Sequence, residues 1–137
     1  MTLSTTRSLH LAPVRVNAAL RFIVVSICAA SAGVHVALVP GHLRESLALG
    51  LAFALSAAAL AAASLVVRSP RRDSWAPIAA GAVLCLTAMA YALSRSTGLP
   101  WLIPHTEHLD ALGLATSAAE VVAALAATLL ITRKERP

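Results

Sequence analysis

Residues 46–67, SLALGLAFALSAAALAAASLVV, form a run of 22 residues without a single Lys, Arg, Asp or Glu. A helix needs about 20 mostly apolar residues to cross about 30 Å of hydrocarbon, so this run is long enough to span a membrane. Its apolar residues are continuous and do not alternate with polar ones, which favours a helix over a strand of a transmembrane barrel. The run therefore predicts a transmembrane helix.

Three further stretches have the same character. They carry no Lys or Arg in their interiors and extend over residues 22–40, 75–93 and 109–132. Together the four runs predict an all-α, polytopic membrane protein whose four transmembrane helices form a bundle within residues 18–132. Residues 1–17 and 133–137 are expected to be cytoplasmic tails.

The composition agrees with this class. Of the 137 residues, 58% are hydrophobic and 12% are charged. Soluble domains are usually about 45–50% apolar and about 25% charged. The difference argues against a disordered chain, a secreted disulfide scaffold and an ordinary cytosolic enzyme.

The basic residues predict an orientation. Arg44 and Arg95 fall in the two predicted outer connections, whereas the other nine basic residues flank the opposite helix ends: Arg7, Arg15, Arg21, Arg68, Arg71, Arg72, Arg133, Lys134 and Arg136. The positive-inside rule then predicts a cell-membrane protein with both termini in the cytoplasm. The basic residues are scattered with no aromatic platform beside them, so no nucleic-acid partner is expected.

A signal peptide cleaved near Ala32 is the competing interpretation, but the apolar run continues well past that residue.

Histidines and carboxylates gather at the predicted outer end: His35, His42, His105, His108, Glu45, Glu107 and Asp110. Zinc and oxidised copper take imidazole and carboxylate ligands, and neutral imidazole also binds haem iron. His42 and Glu45 are three residues apart and would share a helical face, as would His105 and His108. One interpretation is therefore a metal site.

The other interpretation of these residues needs no ligand. Glu45 is predicted to begin the second helix, and Glu107 and Asp110 precede the fourth. Carboxylates stabilise helix N-termini by about 0.3–1 kcal/mol, and the histidines would then be interfacial polar residues. The sequence contains no tight metal motif such as H-E-x-x-H.

Glu120 is predicted to lie near the membrane midplane, because it is about ten residues into the fourth run and a helix rises about 1.5 Å per residue. An ionisable residue at that depth is costly unless paired or neutral, and it indicates a functional site by default. Expected partners are Ser56 and Thr87, with Tyr91 and His35 nearer the outer surface. Two interpretations stay open: proton or cation movement along this route, or a protonated carboxyl that only stabilises helix packing.

Arg95 ends the third predicted helix on the side where basic residues are disfavoured. We expect it either to pair with Glu107, Asp110 or Glu45, closing the outer loops over the bundle, or to extend to the lipid headgroups.

Small residues recur at every fourth position, which favours close helix packing and self-association. The first helix has Ala29, Gly33 and Ala37, and the second has Gly50, Ala54, Ala58 and Ala62.

Cys28 and Cys85 lie at similar predicted depths. They are expected either to form a thiolate site with Met89 or to be small buried apolar residues.

The chain resembles a family of small four-helix integral membrane proteins that is common in actinobacteria and has no assigned activity. The resemblance covers about residues 20–132 and rests on Gly33-Val34-His35, residues 40–45, Gly50, Phe53, residues 91–100, Glu107, Asp110 and Glu120. In that family the positions of His35, His42, Glu45 and Glu120 typically carry the same residue types. His105 and His108 are not part of the pattern, so the resemblance favours His35, His42, Glu45, Arg95 and Glu120 over a four-histidine site. It implies the fold and the membrane location and supplies no reaction.

The leading functional hypothesis is a non-enzymatic one. The outer His/Glu/Arg cluster would bind a metal ion such as copper or zinc, or a proton, in an accessory subunit or small transporter. The alternatives are a redox or quinone-linked component with His-ligated haem, and a structural partner without a ligand, in a homo-oligomer or larger membrane complex. A single cavity containing His35, His42 and Glu120 would favour ion handling, and separate surfaces would favour the structural role. No nucleophile–base pair points to an enzyme.

Overall fold

The computed structural model describes residues 6–69, 75–99 and 106–134, with side chains from residue 15 to residue 133 of those ranges. These residues form four helices: α1 (Thr6–Glu45), α2 (Leu47–Arg68), α3 (Trp75–Ser96) and α4 (Ala111–Lys134). All four are long and apolar enough to cross a membrane. The predicted all-α chain with four such helices is confirmed, and the bounds of α2, α3 and α4 lie within three residues of the predicted ones.

The helices pack as a four-membered ring. Each helix contacts the next one in the chain, and α1 also packs against α4 to close the ring. The helices α2 and α4 lie diagonally opposite each other without contact among the described residues. The centre of the bundle is therefore bounded by all four helices.

Helix α1 is much longer than the predicted first span of residues 22–40. It has 40 residues, which corresponds to about 60 Å, or twice the hydrocarbon thickness. Residues 6–17, predicted to be part of a tail, are helical, and the helix also continues beyond Pro40. Proline removes one backbone donor, but Ser46 N–H still bonds to His42 O at 2.9 Å, so the final turn is intact.

The turn from α1 to α2 is a single residue, Ser46. Its extended backbone (φ −159°, ψ 133°) reverses the chain, and Leu43 of α1 then lies directly against Gly50 of α2. A Cβ on Gly50 would come within 2.9 Å of Leu43 Cα, so only glycine permits this approach. Glu45 consequently ends α1, and the prediction that it begins the second helix is wrong.

The bundle is densely packed in only one half of its length. The buried apolar core contains the middle of α1, the last part of α2, the first part of α3 and the last part of α4: Val24, Cys28, Ala32, Leu60, Ala63, Val67, Ala76, Ala80, Leu84, Ala123, Ala124, Ala126, Ala127 and Leu130. Most of these side chains are small, which lets the helices approach closely. We call this half the basic end, since Arg21, Arg68 and Arg133 lie there, and the other half the acidic end.

Candidate functional site

The acidic end of the bundle contains a cavity of about 350 Å³. Its walls come from all four helices and are formed by Val34, His35, Leu38, His42, Leu49, Ala52, Phe53, Ser56, Thr87, Ala90, Tyr91, Ser94, Leu99, Glu107, Asp110, Leu112, Gly113, Thr116, Ser117 and Glu120. Most of the lining surface is apolar, with polar groups at the floor and at the mouth. Volume and lining are typical of small-molecule sites, which are usually about 300–1,000 Å³ and mainly apolar.

Glu120 forms the floor of this cavity, where the open half meets the packed core. Its side chain is only 1% exposed, and it is the one carboxylate among the buried residues that the structure describes. Ser31, itself 3% exposed, donates its hydroxyl proton to Oε1 of Glu120. This pair joins α1 to α4 and replaces the predicted partners Ser56 and Thr87. Both of those line the cavity, and Thr87 instead bonds to carbonyls of its own helix.

His35 extends this hydrogen-bonded pair towards the cavity. Its Nδ1 lies 2.9 Å from the carbonyl oxygen of Ser31 and 3.4 Å from the Ser31 hydroxyl. A carbonyl only accepts, so Nδ1 carries the proton and, in the neutral ring, Nε2 is a free acceptor. Since the Ser31 hydroxyl can accept from Nδ1 while it donates to Glu120, the three groups form a chain of exchangeable protons.

Phe53 of α2 contacts both cavity histidines. Its ring centroid is 5.4 Å from that of His35 and 4.1 Å from that of His42, which lies two turns further along α1. The Nδ1 atom of His42 is 3.0 Å from Oε2 of Glu45, whose side chain is 61% exposed. The polar groups of α1 thus follow one face of the helix from the buried floor to the surface.

Arg95 holds the mouth of the cavity together. Its guanidinium donates to Glu107, and its Nη2 donates to Oδ2 of Asp110 at 2.7 Å. It also lies over the ring of Tyr91, with Cζ 4.9 Å from the centroid. The expectation that Arg95 pairs with the outer carboxylates is therefore confirmed for Glu107 and Asp110.

Backbone hydrogen bonds fix the same segment in place. The N–H of Glu107 donates to the carbonyl of Ser94 at 3.1 Å, which ties the chain before α4 to the end of α3. Asp110 caps α4, because its Oδ1 accepts from Gly113 N–H at 2.6 Å. This confirms the helix-terminus role predicted for Asp110. Gly113 is required here, since a Cβ would collide with the Tyr91 ring and approach Asp110 Oδ2 to 2.8 Å.

The electrostatic character of the cavity is acidic. Its described lining contains three carboxylates (Glu107, Asp110 and Glu120) and neither Lys nor Arg. Arg95 supplies one positive charge to two of these carboxylates, so the ion-pair cluster at the mouth keeps a net negative charge. A cation would be attracted to this site and an anion repelled.

The structure brings the predicted metal ligands together only in part: His42 contacts Glu45, and His35 and His42 line one cavity. Within the described residues there is no group of three or more His, Cys, Asp or Glu side chains that could hold a metal ion. His35 and His42 lie on the same helix, seven residues apart, whereas two axial haem ligands would have to approach the iron from opposite sides. His108 is exposed and does not line the cavity, and His105 lies outside the described residues.

Two other sequence-based predictions have definite outcomes in the structure. Cys28 is fully buried in the core, whereas Cys85 and Met89 are exposed, so a shared thiolate site does not form. The small residues Ala29, Gly33 and Ala37 are exposed on the outer face of α1 and do not mediate packing within the bundle. Self-association through this face stays a prediction.

Comparison of this chain with protein family models, with curated proteins and with solved structures finds no match. The inferences about function therefore rest on the geometry of the cavity.

Proposed function

We propose that this chain is a multi-pass protein of the cell membrane that takes up and releases a proton, or another monovalent cation, in the cavity above Glu120. Both termini are cytoplasmic in this proposal, since nine of the eleven basic residues in the sequence precede the first predicted span, join the second to the third, or follow the fourth. The cavity then faces the outer side. The protein acts as a small transporter or an accessory subunit and catalyses no covalent chemistry.

The observation that carries this proposal is that His35, His42 and Glu120 line one cavity. If the three side chains had only a structural role, they could equally well lie on separate surfaces of the bundle. Instead, the buried carboxyl is linked through Ser31 to an imidazole that faces open space. This arrangement offers a path for a proton between the floor and the mouth.

The depth of Glu120 explains why its charge state matters. An ionised carboxylate inside the bilayer costs several kcal/mol unless it is neutralised by a proton or paired with a cation. The neighbouring Ser31 donates one hydrogen bond but no charge. In this proposal the charge of Glu120 is neutralised either by a proton or by a bound cation.

Infrared difference spectroscopy on protein reconstituted in liposomes tests this proposal. A carboxyl band that responds to pH should be present in the unsubstituted protein and be missing in Glu120→Gln. Glu45→Gln is the matched control, because that exposed carboxylate lies outside the cavity lining and its replacement should leave the band unchanged. A band that persists in Glu120→Gln, or one that never responds to pH, would contradict proton uptake at this site.

A further inference from the structure

We propose that the cavity binds a lipophilic organic monocation, such as an ammonium ion with apolar substituents, and that this cation replaces the proton on Glu120. This inference rests on the proposed function and names its substrate class. It combines three properties of the cavity: its volume, its apolar walls and its acidic ends.

The walls determine which kind of cation fits. Between the floor and the mouth the cavity is lined by Val34, Leu38, Leu49, Phe53 and Leu112. Such walls cannot replace the hydration shell of a small inorganic ion, and burying a polar group without hydrogen bonds is costly. An organic cation carries a diffuse charge on an apolar body, so the same walls stabilise it by removing that body from water.

The charged groups of the cavity determine the sign of the charge that the ligand carries. The three carboxylates of the lining lie at opposite ends: Glu120 at the floor, and Glu107 and Asp110 at the mouth. The mouth carboxylates are already paired with Arg95, whereas the partner of Glu120 among the described residues is the uncharged hydroxyl of Ser31. A bound positive charge would therefore be stabilised most at the floor of the cavity.

The exchange is balanced in protons and charge. The O–H bond of the Glu120 carboxyl breaks, one proton leaves to the aqueous phase, and the cation pairs with the resulting carboxylate without a new covalent bond. The total charge of the site is the same before and after the exchange, so neither state leaves an unpaired charge in the low-polarity cavity. Simultaneous occupancy by proton and cation would lose the ion pair, so the two compete.

Other titratable groups surround this exchange. Cys28 and His35 face Glu120 from α1, and Tyr91 lines the cavity from α3. The described part of the wall from α2 contains no titratable side chain. Only Glu120 combines burial at the floor with a charge opposite to that of the cation, and substitution at this residue should therefore remove the coupling between cation and proton.

Equilibrium dialysis of the full chain in lipid nanodiscs against benzyltrimethylammonium tests the inference. Glu120→Gln should bind this cation about thirtyfold more weakly or worse, as expected for loss of one partner of a buried charge pair. Below the pH at which Glu120 ionises, each unit of acidification should weaken binding by about tenfold in the unsubstituted protein and have no effect in Glu120→Gln. Titration calorimetry in two buffers of different ionisation enthalpy should count about one proton released per cation.

Three controls make the result specific. Tetramethylammonium has the same charge without the ring and should bind more weakly. Ser56→Phe should fill the cavity and reduce binding while Glu120 is intact, whereas Ala58→Phe, on the exposed face of α2, should not. Ser64→Ala, in the packed half and outside the cavity lining, should bind normally.

Equal affinity in Glu120→Gln, binding without proton release, or equal affinity for both cations would each overturn the inference. Absence of cation binding alongside a pH-dependent Glu120 carboxyl band would also overturn it, yet leave the proposed proton uptake intact. Absence of the Glu120 band would instead contradict the proposed function itself.

Discussion

The hydroxyl of Ser31 in α1 donates to the carboxyl of Glu120 in α4, across 89 positions of sequence. Both side chains are almost completely buried, and they lie at the boundary between the packed core and the cavity. This hydrogen bond gives the buried carboxyl a fixed orientation. It also closes the α1–α4 side of the ring at the level where the small core residues end.

Replacing Ser31 with alanine should destabilise the protein by about 1–3 kcal/mol, because the buried carboxyl of Glu120 would lose the hydrogen bond that it accepts from Ser31. Thermal denaturation in detergent measures the loss. In Ser31→Ala/Glu120→Leu the two effects should be less than additive, since each substitution removes the same bond, whereas the amide oxygen of a glutamine would still accept from Ser31. Ser64→Ala is the control: Ser64 bonds to the Val25 carbonyl in the packed half, and its loss should add independently to Glu120→Leu. Strict additivity of Ser31→Ala and Glu120→Leu would show that the hydrogen bond is not stabilising.

Arg95→Lys should loosen the mouth of the cavity. Arginine reaches Glu107 and Asp110 with separate nitrogens, whereas a single ammonium cannot reproduce this fork geometry. We expect a loss of about 1–3 kcal/mol and faster hydrogen exchange at residues 106–110, where the Glu107 N–H bonds to Ser94. Arg44→Lys, at an exposed site near the end of α1, should leave exchange in this segment unchanged. Unaltered exchange in Arg95→Lys would mean that the backbone contacts alone hold the segment.

The sequence predicts the helices well because membrane spans are determined by local composition. The bounds of α2, α3 and α4 follow from runs of apolar residues, and the pairing of Arg95 with outer carboxylates is one of the two outcomes that the sequence leaves open. The partner of Glu120 could not be identified in the same way. Ser31 is one of many small polar residues, and its pairing depends on the rotation of α1 about its own axis. The four-residue spacing between Ser31 and His35, which puts both on one helical face, is the sequence signal that could have indicated this pairing.

The small residues at every fourth position of α1 led to a wrong expectation about which face of the helix is buried. Ala29, Gly33 and Ala37 have the spacing of a packing motif, yet they are exposed, and the first helix buries Val24, Cys28 and Ala32 instead. In a chain this rich in alanine, a four-residue spacing fits several faces of one helix. Only the contacts with neighbouring helices decide which face is buried.

Two glycines in similar helical settings should respond oppositely to alanine. Gly50→Ala should destabilise the protein by about 1–3 kcal/mol, because a Cβ would collide with Leu43 and force the α1–α2 turn apart. A Cβ on Gly33 meets nothing within 4 Å, so Gly33→Ala should be neutral or should stabilise α1 by up to about 1 kcal/mol. Thermal denaturation of both variants in detergent provides the comparison. A loss of stability in Gly33→Ala would indicate that this exposed face is covered in the membrane by another copy or a partner.

The orientation in the membrane can be tested with single cysteines at the two ends of the bundle. Glu45 is 61% exposed at the acidic end and Arg133 is exposed at the basic end. If the positive-inside rule determines the topology, Glu45→Cys should react with a membrane-impermeant maleimide in intact cells, and Arg133→Cys only after permeabilisation. The unsubstituted chain is the control for Cys28 and Cys85, both of which lie within candidate spans and should stay unlabelled. The reverse labelling pattern would place the cavity mouth in the cytoplasm, so that Glu120 would exchange its proton with the inner aqueous phase.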